Sequence, residues 1–205
     1  MRTYPIMLLL SDRRVVLVGA GRVAKRKLDE LLACGAELVV VAPTIDETFQ
    51  RDGVFCMTQA YTPSVLDGAT LVFACTDDAE LNAHVVTDAR NRNILACAVD
   101  QPADCDFFSP ATVHDEDVVV AIGTGGSAPG LAKHLRNQLA SHLPDRIGEF
   151  AQTLQTCRST VLDRVDDPAR RKTILTTLAS EPMYDAFLAD GPDALHTKLD
   201  DLLAE

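Results

Sequence analysis

The chain has 205 residues, a net charge of −11 and 47% hydrophobic residues, which suits one ordinary domain with an appendage. The negative charge argues against non-specific binding to nucleic acid or to an anionic membrane surface. The chain has no tryptophan and few aromatic residues, which argues against a surface on which nucleic-acid bases stack.

Residues 4–10 are mostly apolar and predict either an edge strand or a lead-in segment without strand structure. Residues 14–44 then predict a strand, a glycine turn, a helix and a second strand. Both strands, residues 15–18 and 38–41, are short apolar runs rich in β-branched residues, a pattern typical of burial on two faces. The helix between them is expected to end near Gly35. Its apolar residues recur at helical spacing and are Ala24, Leu28, Leu31 and Leu32.

The glycine turn predicts phosphate binding. Gly19 permits a tight turn, Gly21 lets the backbone approach a pyrophosphate, and Ala24 stands where the third glycine of the fingerprint often stands. The N–H groups of the first helical turn would then face the anion. The alternative is a strand–helix–strand unit with a tight turn and no ligand.

The end of the second strand departs from the dinucleotide fingerprint. An acidic residue is expected there to hold the ribose hydroxyls, but the sequence has Ala42, Pro43 and Thr44. Ribose recognition is therefore expected from backbone groups, from the Thr44 hydroxyl or from nearby Asp46.

The first turns of the helix carry an unusual group of cations, which oppose the helix dipole. One interpretation is a solvated face, and the other is that a polyanion binds over the helix start. The cations are Arg22, Lys25, Arg26 and Lys27.

Strands continue to alternate with helices as far as residue 99. The patterns predict a short helix over 45–52, a strand over 54–61, one helical turn within 63–68, strands over 71–75 and 94–99, and a helix over 79–91. Thr76 or Asp77 is a candidate cap for that helix. The alternation predicts an α/β fold with a mostly parallel sheet and right-handed crossovers.

Chemistry-bearing residues follow four of these strands. In a parallel sheet, ligands bind beyond the carboxyl ends of the strands, so these positions are expected to converge on one site. They are 19–21, Pro43–Thr44, 76–78 and Asp100.

Asp100 is the leading candidate for a general base, because a carboxylate at a strand end beside a dinucleotide site is well placed for proton transfer. Its alternative role is to form a turn before Gln101 and Pro102. The histidines have no metal-ligand spacing, and neither a nucleophile elbow nor a P-loop is present.

A second glycine-rich stretch, residues 123–130, follows a strand over 118–122 and leads into a helix over about 131–142. Ser127 is the candidate N-cap, and this helix start could hold a carboxylate. The alternative is a flexible turn that feeds a helix. From residue 145 onward the chain predicts helices with a break at 166–168, then two more helices that divide near 191–192, in a packing or dimerisation module.

The six cysteines are scattered without a C-x-x-C pair, so neither a zinc site nor a redox motif is indicated. Cys34, Cys75 and Cys97 are expected to be buried as small apolar residues. No stretch resembles a signal peptide or a bilayer span. A reducing, cytoplasmic location is therefore expected.

Several motifs in this order and spacing resemble the precorrin-2 dehydrogenase / sirohydrochlorin ferrochelatase family, the N-terminal module of siroheme synthase and its stand-alone relatives. The resemblance covers about residues 4–145 well and the helical tail only in character. The motifs are Tyr4-Pro5, V-L-V-G-A-G-R-V-A-K-R-K at 16–27, V-V-A-P-T at 40–44, A-C-T-D-D at 74–78 with Asn82, A-V-D-Q-P at 98–102, F-F-S-P at 107–110 and G-T-G-G-S-A-P at 123–129.

The resemblance implies NAD-dependent oxidation of precorrin-2 to sirohydrochlorin and, in some members, insertion of Fe²⁺ as a substrate. It implies a homodimer, with a Rossmann-like NAD-binding domain over 1–110, a small α+β dimerisation segment over 111–145 and a helical domain over 146–205. The site would lie between these parts, with a tetrapyrrole as the partner molecule and no resident metal.

The resemblance also assigns roles to single residues. Asp100 matches the catalytic aspartate, and Thr124 matches a serine at the substrate site. The substrate's carboxylates are expected to meet the two anion-binding features of the chain. The residues that match the family's cofactor contacts are Arg22, Val23, Pro43 and Thr44. Together with the residues singled out from the sequence itself, the expected cofactor-binding set is Gly19, Gly21, Arg22, Val23, Pro43, Thr44, Thr76 and Asp77, and the expected substrate-binding set is Thr124, Gly125, Gly126, Ser127, Arg26 and Lys27.

Two alternatives remain open at the level of sequence. One is a dehydrogenase without chelatase activity. The other, of a different class, is a regulatory domain that senses NAD without chemistry. Such sensors usually carry the acidic ribose residue that is absent here, and they do not need Asp100.

Overall fold

The computed structural model describes residues 3–99 and 101–204. The chain divides into two compact units, Met1–Ser109 and Pro110–Glu205. Within the described residues, no helix is both long enough and apolar enough to cross a membrane. The candidate base Asp100 lies outside the described residues.

The first unit is built on a five-stranded parallel sheet, which confirms the predicted α/β fold. The strands stand in the order β3-β2-β1-β4-β5, and helices α1 and α2 connect β1 to β2 and β4 to β5. The elements are β1 (Arg14–Val18), α1 (Arg22–Ala33), β2 (Glu37–Ala42), β3 (Val54–Thr58), β4 (Leu71–Ala74), α2 (Ala79–Arg90) and β5 (Leu95–Ala98).

The alternation of side chains along β1 produces the two layers of this core. Val16 and Val18 pack in a cluster that includes the apolar face of α2, whereas Val15 and Leu17 pack with the apolar face of α1. Each such side chain contributes about 1.5–3 kcal/mol when it is fully buried. Because both faces of β1 are buried, its residues from Val15 to Val18 form a continuous apolar run with no polar alternation.

Two segments of the first unit differ from the predicted edge strand and the predicted helix. No strand is assigned to residues 3–10, and Leu10 is buried whereas Leu9 is 91% exposed. An apolar run becomes a strand only where a neighbouring strand takes its backbone hydrogen bonds. The helix predicted over 45–52 is a single 3-10 turn, Glu47–Phe49.

The second unit consists of a hairpin and five helices within the described residues. The strands β6 and β7 pair antiparallel, and β6 was missed because its residues are half-buried and show no clear alternation. The elements are β6 (Ala111–Asp115), β7 (Val118–Ile122), α3 (Pro129–Ala140), α4 (Ile147–Arg164), α5 (Pro168–Leu178), α6 (Glu181–Asp190) and α7 (Pro192–Ala204).

Three helices follow the break at 166–168, not the two that were predicted. The additional boundary lies at Ser180, which is the N-cap of α6 and precedes Glu181 and Pro182. Proline in the first turn and an acidic residue beside it are typical of a helix start. The apolar spacing runs on across this boundary and conceals it.

The hairpin and the helices of the second unit are joined at the start of α4. The Gly148 N–H donates to a carboxylate oxygen of Asp115 at 2.8 Å, and a Cβ at Gly148 would stand 2.5 Å from the Asp115 carbonyl oxygen. A glycine is therefore required for this contact. Residues 111–145 and 146–205, predicted as separate segments, lie within this one unit.

Candidate functional site

The order of strands places a topological switch point at the carboxyl end of β1. From β1 the chain crosses to β2 and β3 on one side and later to β4 and β5 on the other. The strands are parallel, so the turns that follow β1, β2 and β4 meet at one edge. Ligands of open α/β sheets bind in the crevice at such a point.

Gly19, the first residue after β1, is tied to both neighbouring strands. Its N–H donates to the Val41 carbonyl at 2.8 Å, and the Cys75 N–H donates to the Val18 carbonyl at 2.7 Å. Gly19 has a φ of +105°, and a Cβ there would stand 2.6 Å from the Cys75 carbonyl oxygen. The turn therefore requires glycine at this position.

The start of α1 is open toward an anion. Gly21 is the N-cap and provides no side-chain cap, and the first turn has no acidic residue. Helical bonding begins with the Lys25 N–H, which donates to the Gly21 carbonyl at 3.0 Å. Among the described residues, the amides of 22–24 have no backbone acceptor, and a Cβ at Gly21 would meet nothing within 4 Å. This cradle fits a pyrophosphate.

The turn after β2 presents Pro43 and Thr44 as exposed residues at the same edge. Asp46 follows them and caps the next 3-10 turn, where its carboxylate accepts the Thr48 N–H at 2.8 Å. This hydrogen bond holds the pKa of Asp46 below its usual range. Asp46 therefore remains ionised, and its carboxylate is occupied by the Thr48 N–H of its own turn.

The turn after β4 is held by a buried polar side chain, Asn82, which is 3% exposed. Its amide oxygen lies 2.7 Å from the Thr76 hydroxyl, which donates to it, and its amide nitrogen donates to the Thr76 carbonyl at 3.0 Å. Thr76 is thus fixed from within, whereas Asp77 is exposed. Asn82 was quoted only as part of a motif, and its role as a clamp emerges from the structure.

The cap of α2 corrects the sequence interpretation. Asp78, not Thr76 or Asp77, is the N-cap, because its carboxylate accepts the N–H groups of Glu80 and Leu81 at 2.9 and 3.1 Å. An N-cap side chain must reach the amides two or three residues ahead, and Asp78 stands at that distance from them.

The cations of α1 separate into two classes. Arg22 and Arg26 are exposed. Lys27 is 9% exposed, its Nζ lies 2.6 Å from a carboxylate oxygen of Glu30, and it stands 5.8 Å from the centre of the Phe73 ring. Lys27 therefore packs inside its own unit, contrary to the expectation of an exposed cation, and its substrate contact stays a prediction.

The second glycine-rich loop is closed by its own residues. Gly125 and Gly126 have φ values of 62° and 79°. The Ser127 hydroxyl donates to the Thr124 carbonyl at 2.6 Å, and the Thr124 hydroxyl accepts the Ala128 N–H at 3.2 Å. The N-cap of α3 is Ala128, not Ser127, because the Ser127 hydroxyl is turned back to residue 124.

The residues on either side of Asp100 are anchored. The Val99 N–H donates to the Ala74 carbonyl at 2.9 Å, and the Gln101 side chain donates to the Ala79 carbonyl at 3.2 Å. Both bonds reach toward β4 and the start of α2. The role of Asp100 itself stays a prediction.

Only one of the three cysteines that were predicted to be buried is buried. Cys34 is exposed, Cys75 is buried as expected, and Cys97 is half-buried. The Sγ atoms of Cys97 and Cys105 lie 3.4 Å apart, a contact that their spacing in the sequence did not indicate. Within the described residues, no group of three histidine, cysteine, aspartate or glutamate side chains could hold a metal ion.

Comparison with known proteins gives one family match, two relatives in sequence and one similar structure. A family model described as "Putative NAD(P)-binding" matches residues 6–111. Siroheme synthase 1 of Pectobacterium atrosepticum is 41% identical over 177 residues, which are 84% of this chain and 37% of that protein. The siroheme synthase of Chromobacterium violaceum is 36% identical over 208 residues, which are 100% of this chain and 44% of that protein.

The chain thus spans about two fifths of the length of these curated relatives. They confirm the family resemblance that the motifs indicated. A solved structure named SirC, precorrin-2 dehydrogenase, superposes with a TM-score of 0.80 at 22% identity, and the match covers 97% of this chain and 100% of that one. This likeness confirms the fold class.

Proposed function

Since the chain belongs to the NAD(P)-binding family whose model it matches, we propose that it oxidises precorrin-2 to sirohydrochlorin with NAD⁺ in siroheme biosynthesis. The observation that carries the proposal is the uncapped start of α1 at the switch point of the sheet. It occurs in a chain whose relatives are siroheme synthases. A glycine turn alone would support binding, and the relatives supply the substrate class.

The proposed cofactor contacts follow the edge of the sheet. Gly21 lets the pyrophosphate approach, the amides of 22–24 donate to it, and the exposed Arg22 offsets its charge. Pro43 and Thr44 meet the ribose through backbone groups and a hydroxyl in place of the missing carboxylate. Val23 borders the first turn, and Thr76 and Asp77 form the opposite wall.

NAD⁺, when bound, supplies the hydride acceptor. The oxidation removes one hydride and one proton from the macrocycle, so a base must take the proton as the hydride leaves. We assign this role to Asp100. The bonds of Val99 and Gln101 support this assignment, because they tie the neighbouring backbone to the edge that carries the glycine turn.

The substrate is a polycarboxylate, and the chain has a net charge of −11. A local group of cations or amides must therefore hold it against the mean field. Arg26 is exposed and has no ion-pair partner within the described part of the chain, so it is the favoured contact. A second contact at residues 124–127 would use the Thr124 hydroxyl and the amides of Gly125 and Gly126, because the Ser127 hydroxyl already donates to the Thr124 carbonyl.

Arg26 and Lys27 form a matched pair for a test of this contact. Arg26→Ala is expected to raise the KM for precorrin-2 about tenfold with little change in stability, equal to about 1.4 kcal/mol of binding. Lys27→Ala is expected to lower stability, because it leaves a cavity beside Phe73 and removes the partner of Glu30. Steady-state kinetics and urea unfolding separate the two effects. An unchanged KM in the Arg26 variant would contradict this contact.

The second unit carries an apolar surface suited to a second copy of the chain. Among the described residues of α3 only Ala132 is buried, whereas Leu131 and Leu139 are 51% and 44% exposed. The residues of β6 and β7 stay mostly half-buried although the hairpin packs on α3, so part of its apolar surface is left uncovered. We therefore infer a homodimer through residues 111–140, which sedimentation equilibrium measures directly.

Insertion of Fe²⁺ into sirohydrochlorin, which the family resemblance implies for some members, stays a prediction. Fe²⁺ would be a substrate of this step. Addition of Fe²⁺ after the oxidation is complete tests it, because the absorbance of the macrocycle changes when a metal replaces the pyrrole protons.

Asp100→Asn tests the proposed function against the alternative of an NAD sensor. Loss of a general base is expected to lower kcat by roughly 100- to 10,000-fold, whereas the Kd for NAD⁺ should stay within about twofold because the pyrophosphate cradle is untouched. NADH absorbance and calorimetric titration give the two values. A variant that keeps full turnover would contradict the role of Asp100, and a wild-type protein that binds NAD⁺ without turnover would favour the sensor.

A further inference from the structure

Two thiols face one another near the edge that carries the proposed site. The Sγ atoms of Cys97 and Cys105 are 3.4 Å apart. A disulfide bond is about 2.05 Å long, so these are two reduced thiols in contact. Both side chains are half-buried, and they lie within the first unit.

The backbone explains why these thiols meet. The Asp106 N–H donates to the Ala96 carbonyl at 2.8 Å, and the Asp106 carboxylate accepts the Ala96 N–H at 3.0 Å. These two hydrogen bonds hold Asp106 beside β5, and Cys105 next to it comes into contact with Cys97.

Asp106 makes a third hydrogen bond, because its carboxylate also accepts one from the Arg90 side chain at 2.9 Å. A disulfide bond is about 2.05 Å long, so the two sulfur atoms, held 3.4 Å apart, lie within about 1.4 Å of bonding distance.

We propose that Cys97 and Cys105 form a reversible disulfide bond, and that this bond slows turnover by shifting the loop that carries Asp100. The effect on turnover rests on the proposed function, whereas formation of the bond does not. The site is an oxidation site for a small disulfide oxidant such as oxidised glutathione.

The exchange proceeds in two steps that balance. The Cys105 thiolate attacks a sulfur of the oxidant and releases one glutathione thiolate, and the Cys97 sulfur then attacks Cys105 and releases the second. The protein pair loses two electrons and two protons, and the oxidant is reduced to two thiols. Burial raises the pKa of the Cys97 thiol, so the second step, in which the Cys97 sulfur attacks, is slow.

Closure of the bond would disturb the proposed site through Cys105. Its Sγ lies 3.2 Å from the Ala98 carbonyl and 3.4 Å from the Gln101 carbonyl, two groups that flank Val99 and Asp100. Bond formation draws the sulfur atoms about 1.4 Å closer together. A displacement of about 1 Å in a catalytic group can cost about 100-fold in rate.

A single tryptic peptide reports the bond. No lysine or arginine lies between Arg92 and Lys133, so peptide 93–133 contains Cys97, Cys105 and no other cysteine. After treatment with oxidised glutathione and alkylation, the peptide is expected to lose the mass of two hydrogen atoms and to carry no alkyl group. A reductant should restore both alkylation sites.

Three cysteine-to-serine variants provide the controls. The holoenzyme is assayed before and after oxidation, and wild type is expected to lose roughly 100-fold in kcat and to regain it with reductant. Cys97→Ser and Cys105→Ser should each resist this loss relative to their own reduced forms. Cys34→Ser should lose activity as wild type does, because Cys34 lies at the exposed end of α1.

The outcomes separate the two proposals. Absence of the mass change under an oxidant that modifies Cys34, or linkage of peptide 93–133 to Cys75, would overturn the Cys97–Cys105 bond. A bond that forms without any change in kcat would overturn its effect on turnover. If the reduced enzyme makes no NADH from precorrin-2, the proposed function fails, and the peptide mass still decides whether the bond forms.

Discussion

The two glycine-rich loops of this chain look alike in sequence and are built in opposite ways. The turn before α1 is fixed from outside, by the Val41 carbonyl of β2, by the Cys75 N–H that follows β4, and by the close approach of Gly19 to Cys75. The loop before α3 is fixed from inside, by the hydroxyls of Thr124 and Ser127. A Cβ at Gly125 would meet nothing within 4 Å.

The difference decides what each helix start can offer an anion. At α1, the amides of 22–24 are left without backbone partners among the described residues. At α3, Pro129 has no N–H, and the Ala128 N–H already has an acceptor in Thr124. A glycine-rich helix start is therefore a strong anion site where a parallel sheet holds the turn. It is a weaker site where the loop consumes its own donors.

The largest expected effect is that of Gly19→Ala. The added Cβ would meet the Cys75 carbonyl oxygen at 2.6 Å and would be strained at a φ of +105°, so the turn must move away from β4. We expect a loss of about 3 kcal/mol in the free energy of unfolding together with loss of NAD⁺ binding. Urea unfolding and calorimetric titration measure the two. Full stability in this variant would show that the turn is not fixed by its neighbours.

Gly21→Ala is the matched change two residues further on. A Cβ there meets nothing within 4 Å, so the stability should change by only about 0.5 kcal/mol. The same Cβ would occupy the approach of the pyrophosphate, and the Kd for NAD⁺ should rise about tenfold, equal to about 1.4 kcal/mol. If the Kd is unchanged, the cradle at α1 does not receive the pyrophosphate.

Thr124→Val has the smallest expected effect and probes the second loop. It removes the acceptor of the Ala128 N–H and should cost about 1 kcal/mol in stability. Its KM for precorrin-2 should rise while the Kd for NAD⁺ stays constant. Thr124→Ser keeps the hydroxyl and serves as the control. A weakened affinity for NAD⁺ in the valine variant alone would contradict the separate roles of the two loops.

The first unit could be predicted from sequence because its strands are buried on both faces. The apolar runs at β1, β2 and β4 have no other interpretation once glycine turns and amphipathic helices separate them. Their parallel order then brings the turns after them to one edge, as the topology confirms. The need for glycine at residue 19 could also be predicted, because the fingerprint places a glycine where the backbones of two segments approach closely.

The remaining features depend on contacts between distant residues. The strand β6 has no apolar pattern of its own and exists through its pairing with β7. Lys27 looks like a member of an exposed basic group until Glu30 and Phe73 are placed beside it. Cys97 and Cys105 meet only because Asp106 binds the edge of β5. The spacing of residues along the sequence does not indicate any of these contacts.

The central claim is that the glycine turn at the switch point serves oxidation of a tetrapyrrole and not binding alone. The direct measurement is an anaerobic incubation of the protein with precorrin-2 and NAD⁺, followed by absorbance. The account predicts NADH and sirohydrochlorin in equal amounts, and no sirohydrochlorin when NAD⁺ is omitted. Absence of any spectral change with NAD⁺ present, or formation of sirohydrochlorin without NADH, would contradict it.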